Sequence, residues 1–149
     1  MKKQFSILLA LLSINIIISA QTTPTEIKTL YERLGGTPGI TAIVDDVIEA
    51  HMNNSEINAR FKPLQDQPER LAKIRQNTID FFSAGSGGSV EYNGRDMLTT
   101  HKGMKISAGD YMIVIDDIMG VLEKHNIDEE SKKDVLYILW SLKQTIISK

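Results

Sequence analysis

The chain has 149 residues, three of them histidines and none a cysteine. Thiolate nucleophiles and Cys-ligated zinc or iron–sulfur centres are therefore excluded. His51, His101 and His125 stand too far apart for an HExxH or i,i+4 metal pair. No region gathers the three ligands of a zinc hydrolase. There is no GxSxG elbow and no Walker or Rossmann glycine pattern. Gly85-Ser86-Gly87-Gly88 is glycine-rich but follows a helical pattern, so it reads as a hinge with no phosphate role. Asp45-Asp46 and Asp116-Asp117 are acidic pairs on helical segments. Neighbours on a helix point about 100° apart, so neither pair shares a proton, and each reads as a solvated face.

His101 is the residue with company. It lies on a short helical stretch after the glycine break, with Phe81, Phe82, Met97, Met104 and Ile106 near it in sequence. An apolar slot with one imidazole suits haem, a flat apolar ring with one axial nitrogen bond. The same residues also suit the plain core of a helical bundle.

The elements that must position His101 read as helices. A short helix over Glu26–Leu34, with Thr25 as its cap, stops at Gly35-Gly36. Thr37 then caps a second helix with Pro38 at its first position. Ile40, Ile43, Val44, Val47 and Ile48 form one apolar stripe of helical period on it, and it ends near Asn53-Asn54. Ser55–Phe61 is a short helical turn, and Pro63 and Pro68 bracket a loop. A helix follows from Pro68 to about Ala84, with Leu71, Ile74, Thr78, Phe81 and Phe82 as its inward line. The glycine cluster breaks it, because each glycine costs about 1 kcal/mol relative to alanine in a helix. Ser89–Gly94 is extended but too short to build a sheet. Arg95–Lys102 is a short helix ending at Gly103. Ser107 with Asp110 caps a helix bearing Tyr111, Ile115, Ile118 and Leu122 on one face. Asp128 opens the last helix, with the stripe Val135, Leu139, Leu142 and Ile146. The fold class is all-α.

The first twenty residues differ from the rest. Lys2 and Lys3 precede the fourteen-residue apolar run Phe5–Ile18, and small residues Ser19 and Ala20 follow. This is the pattern of a secretory signal, with an uncleaved membrane anchor as the alternative. As a helix the run would span only ~21 Å, short of the ~30 Å bilayer core. The expected organisation is thus a signal peptide at 1–20 and one domain at 21–149, exported to the periplasm, with no membrane association in the mature form. The formal net charge is −2, and loss of Lys2 and Lys3 makes the remainder more acidic. Nucleic acid and anionic lipid are disfavoured as partners. An exported chain without disulfides must rely on its core or on a bound cofactor.

Three segments carry a resemblance to a known family: Leu30-Tyr31-Glu32-Arg33-Leu34-Gly35-Gly36, then Phe81-Phe82 with Gly87-Gly88 and Tyr92-Asn93-Gly94-Arg95-Asp96-Met97, then His101-Lys102-Gly103-Met104-Lys105-Ile106-Ser107. In this order and spacing the chain resembles the group I truncated haemoglobins from about Thr29 to Ile147. The resemblance implies a two-over-two helical sandwich that holds haem b. It makes His101 the proximal iron ligand, with its other ring nitrogen bonded to a carbonyl or water. Phe81 and Phe82 match the aromatic pair near the haem and Ile106 flanks its proximal side; Met97 and Met104, near His101 in sequence, are further candidate haem contacts. Arg95, Lys102 or Lys105 would meet the propionates.

On the distal side the chain departs from the family. Where many relatives carry a Phe-Tyr pair, Val47-Ile48 stands here. Where they often carry polar groups such as glutamine, Ile74 and Thr78 stand, with Gln76 and Asn77 nearby. Thr78 is the one polar group on the inward line, so the implied pocket is mostly apolar. A sixth iron ligand from His51 is the minor alternative, and His125 suits a helix C-terminus. The function implied is reversible binding of dioxygen, CO or NO, for carriage, scavenging or NO chemistry. NO dioxygenase or peroxidase-like activity would require an external reductase. A haem-free helical interaction module on the same frame is the competing class.

Overall fold

A computed structural model of the chain describes residues 27–147. The signal segment at 1–20 and the proposed cap Thr25 lie outside them. All regular structure among the described residues is helical. The elements are α1 (Leu30–Arg33), α2 (Gly36–Asn53), α3 (Pro68–Gly85), α4 (Met97–His101), α5 (Ala108–Lys124) and α6 (Glu129–Ile146), with two 3-10 turns, Asn58–Arg60 and Lys62–Leu64, between α2 and α3.

Local chemistry sets most of the boundaries. α1 starts later than its apolar pattern suggests, because Thr29 and Glu32 form a reciprocal capping box. The Ser107–Asp110 box opens α5 as expected, and the Asp128 side chain accepts from the Ser131 amide at the start of α6. α2 begins one residue before Thr37, with Gly35 as its N-cap at φ 86°. Thr37 does not cap it. Its amide and hydroxyl instead meet the Tyr31 hydroxyl at 3.0 and 2.8 Å.

Four long helices make the sandwich. α2 packs on α3, α5 packs on α6, and α2 joins the two pairs through α5. The core between them is built from Ile40, Ile43 and Val44 of α2, Tyr111, Ile115, Ile118 and Leu122 of α5, and Val135, Leu139 and Ile146 of α6. The stripes read from sequence on these three helices face this core, with Val47, Ile48 and Leu142 only partly buried at its edge, because apolar area removed from water is the dominant stabilising term. Tyr111 also donates its buried hydroxyl to the Leu139 carbonyl at 2.5 Å, tying α5 to α6. Across α2 and α3, Arg75 grips Asp45 with two bonds of 2.5 and 2.8 Å.

α3 departs from expectation. Its buried residues are Ile79 and Ser83. Leu71, Thr78, Phe81 and Phe82 are only half-buried, and Ile74 is 36% exposed. The line taken as facing the core is thus only partly covered by protein. Thr78 and Phe82 of that line nevertheless meet Ile40, Ile43, Val44 and Val47 of α2 around a small apolar cavity.

The glycine break is a fixed turn and not a hinge. The Gly88 amide donates to the Ser83 carbonyl at 2.9 Å, and the Tyr31 amide donates to the Ser86 carbonyl at 2.9 Å. A Cβ on Gly88 would lie 2.7 Å from the Tyr31 ring and 2.8 Å from the Ser83 carbonyl oxygen. Gly88→Ala is therefore expected to cost about 1–3 kcal/mol, read as a lower urea midpoint. An unchanged midpoint would show that the two glycine segments do not meet around Tyr31.

Candidate functional site

His101 is the last residue of α4. The helix exists because Asp96 caps it, accepting from the Thr99 amide at 2.8 Å. The loop before it is braced by Tyr92, whose hydroxyl donates to the Arg95 carbonyl at 2.7 Å. α4 has its main helix contact with α6, whereas α3 has its own with α2.

The His101 ring is half-buried, and its Nδ1 lies 2.8 Å from the Met97 carbonyl oxygen. A carbonyl only accepts, so Nδ1 carries the proton and donates it. The neutral ring then presents Nε2 as a lone pair. Among the described residues no three His, Cys, Asp or Glu side chains gather as a metal site. A metal bound through His101 would have to bring most of its donors with it, as an iron porphyrin does.

The other candidate residues fall into two groups. Val47, Thr78 and Phe82 come together with Leu34, Ile40, Ile43, Val44, Ile118, Leu122 and Val135 around an apolar cavity of about 30 Å³. Met97 and Ile106, with Val47, Ile48 and Phe82, are partly buried side chains packed against the core. Met104 is 46% exposed and Ile74 36% exposed. Phe81 diverges from Phe82. It meets the Tyr92 ring edge-on at 5.3 Å, and the two phenylalanines lie edge-on at 6.0 Å. Apolar side chains of α2, α3, α4 and the segment after α4 are thus left half-covered, and His101 is not among the residues that line the cavity. Arg95, Lys102 and Lys105 are exposed nearby in the chain, and none joins an ion pair among the described residues.

Thr78 is polar but already committed. Its hydroxyl donates to the Ile74 carbonyl at 2.9 Å. The only proton of that side chain is spent within its own helix, so it offers no donor to a ligand. A threonine inside a helix commonly bonds back one turn in this way, a signal available in the sequence.

The remaining histidines are held by carboxylates. His51 is 6% exposed, and its Nδ1 lies 2.9 Å from Asp117 on α5. Asn54 donates to the other Asp117 oxygen at 2.8 Å, and the Phe61 ring lies 4.7 Å from the imidazole. Asp117 is therefore not part of a solvated face. It satisfies a buried imidazole and a half-buried amide that would otherwise be unpaired. Asp46 likewise binds Lys124 at 2.9 Å and His125 at 2.8 Å, and Asp45 binds Arg75. Only Asp116 of the four is exposed with no ion-pair partner among the described residues. His125 is the C-cap of α5, as its position suggested.

Burial pushes the His51 imidazole below its ordinary value of 6.5, and the Asp117 bond only partly offsets this. The unfolded chain takes up a proton below about pH 6.5 while the folded chain resists until a lower pH. Between those points the unfolded state binds more protons, so stability falls as pH drops. Urea midpoints should decline between about pH 7 and pH 5, and His51→Gln should flatten that decline. The carboxylates held low, such as Asp46 beside Lys124 and His125 and Asp128 beside Ser131, act below their ordinary 3.8 and leave this window clear. An unaltered slope in His51→Gln would show that His51 is not the group responsible.

Comparison with known proteins comes from three directions. A family model described as bacterial-like globin matches residues 29–148. The group 1 truncated hemoglobin GlbN of a Synechocystis strain is 28% identical over 107 residues, covering 69% of this chain and 82% of that protein. The GlbN of a Nostoc strain is 24% identical, covering 82% of this chain and 99% of that protein. Among solved structures, the truncated hemoglobin of Tetrahymena pyriformis in its Fe(III) form superposes with a TM-score of 0.74 at 20% identity, covering 82% of this chain and all of that one. The 2/2 hemoglobin of a Synechococcus strain, solved in the cyanomet state with covalently attached heme, superposes with a TM-score of 0.68 at 21% identity, covering 78% of this chain and 94% of that one.

Proposed function

From the premise that this chain belongs to the bacterial-like globin family, we propose that it is a haem protein that binds diatomic gases reversibly through His101. The observation that carries the reading is the fixed tautomer of His101. Its Nδ1–H is spent on Met97, which leaves Nε2 as the axial donor. Phe82, Met97 and Ile106 would cover the two faces of a flat ring, with Val47, Ile48, Ile74 and Thr78 on the ligand side and Phe81 and Met104 toward the rim. Haem b, when bound, supplies an iron with an open position for dioxygen, CO or NO. The half-covered apolar side chains exclude water from that position, which slows loss of the reduced state to solvent. The ligand side offers no free hydrogen-bond donor from Thr78. Bound dioxygen carries partial negative charge and gains most from a donor, so this pocket favours CO and NO relative to a pocket with one.

The test is a titration of the purified protein with haemin, followed in the visible region. A Soret band that saturates at one equivalent supports the reading. A protein that stays colourless with added haemin overturns it in favour of a haem-free module.

We propose also that the protein is exported to the periplasm with residues 1–20 removed. The support is the Lys2-Lys3, Phe5–Ile18 and Ser19-Ala20 pattern. Mass spectrometry of the secreted protein should find Gln21 at the N-terminus. An intact Met1 in the cell membrane fraction would oppose it. Turnover chemistry on NO would need an external reductase to return the iron to its ferrous state.

A further inference from the structure

His101 is joined to α5 by the short segment 102–107, and this segment is not relaxed. Gly103 sits at φ 82° and Lys105 at φ 52°. A lysine in the left-handed region persists only where its surroundings enforce it. One side chain from a distant loop supplies that enforcement. Arg60 donates from Nη1 to the Met104 carbonyl at 2.9 Å, and from Nη2 to the Lys105 carbonyl at 3.3 Å and to Asp110 Oδ2 at 2.6 Å. The same Asp110 oxygen accepts the Ser107 amide at 3.0 Å. Three backbone groups of the connection are thus held by a single Arg–Asp pair.

The loop that carries Arg60 is itself anchored. Phe61, the next residue, packs on the His51 ring at 4.7 Å. His51 is fixed by Asp117 of α5. Arg60 is one-third exposed and lies 50 residues from Asp110 in sequence. A surface ion pair of this kind is ordinarily worth little. The two carbonyls make this one different. A planar guanidinium serves these three acceptors from two nitrogens of a rigid fork, whereas an ammonium has all its donors on one rotatable nitrogen.

We propose that Arg60 is a positioning residue for His101, latching the loop after α2 to the segment after α4 and so fixing the axial imidazole and the Met104–Ile106 wall. The proposal rests on the reading that His101 carries haem. Without the latch, Met104 and Lys105 lose their carbonyl partners and Lys105 can leave its left-handed conformation. The C-terminal end of α4 then rotates more freely, and with it the direction of the His101 Nε2 lone pair.

The experiment compares wild type, Arg60→Gln and Arg60→Lys, each checked for helical content by circular dichroism. In the haem-free proteins, amide hydrogen exchange at Met104 and Ser107 should quicken by about tenfold or more in Arg60→Gln. In the haemin-loaded proteins, transfer of haemin to excess apomyoglobin should be about tenfold faster. The iron–histidine stretching band of the ferrous form should shift or broaden, a change that general destabilisation does not produce. Arg60→Lys should fall between the two, and it carries the test alone if Arg60→Gln does not fold. Wild-type haemin uptake with unchanged exchange, transfer and stretching band in the variants would overturn the latch. Failure of the wild type to take up haemin would instead overturn the haem reading, while the exchange measurement still decides whether Arg60 holds the segment.

Discussion

His101→Gly is expected to lose haemin more than about 100-fold faster than wild type, since loss of outer-shell partners alone costs about 10–100-fold in metal affinity. In the proposed site, the bond from His101 to iron would be the one directional contact between the chain and the metal. Every other proposed contact is apolar and free to slide. The other imidazoles cannot substitute. His51 is buried against Asp117 and Phe61, and His125 is paired with Asp46 at the far end of α5. The measurement is haemin transfer to apomyoglobin, with the Soret band of the variant recorded before and after free imidazole is added. Imidazole should restore a histidine-like spectrum in the space left by the side chain. Equal retention and an unaltered spectrum in His101→Gly would place the iron ligand elsewhere and remove the basis for the site described above.

Ile48→Tyr should slow dioxygen release by roughly tenfold to a hundredfold, while CO release changes little. A hydrogen bond to a charged group is worth about 1.5–3 kcal/mol, and each 1.4 kcal/mol is a factor of ten. Ile48 is half-buried and packs against the core from the penultimate turn of α2. Thr78 does not already fill this role, because its proton goes to Ile74. Thr78→Val should accordingly leave dioxygen release unchanged, which separates the two positions. Stopped-flow release rates of dioxygen and CO for wild type and Ile48→Tyr decide the matter. If the tyrosine leaves dioxygen release untouched, position 48 does not face the bound gas.

Much of the frame could be read before any coordinates. The stripes on α2, α5 and α6, the capping box at Ser107 and the cap at Asp128 all follow from spacing within one or two helical turns, and the structure shows each of them. The face of α3 was harder. Of its inward line Thr78 and Phe82 meet α2 while Ile74 is exposed, and Ile79 and Ser83 beside that line are buried, because cover on a helix face depends on what packs there. The glycine segment was misjudged for the same reason. Composition shows that a helix must stop there, but the bonds from Gly88 to Ser83 and from Tyr31 to Ser86 make the stop a rigid turn. Asp117 looked like half of a solvent-facing pair because its partners, His51 and Asn54, are more than sixty residues away. Phe61 and Arg60 read only as the end of a short helical turn, since their partners His51, Met104, Lys105 and Asp110 are distant in the chain.

What the chain dictates alone is everything that acts over about four residues: helical period, caps, glycine stops, the back-bond of Thr78, and a lone imidazole one turn after the Met97 carbonyl. These depend on backbone geometry that each segment carries with it. Which charges meet, which face of α3 is buried and what holds the connection after His101 were decided only when distant segments packed. An ion pair or a buried contact needs two surfaces brought to within a few ångströms, and no local rule states which surfaces those are.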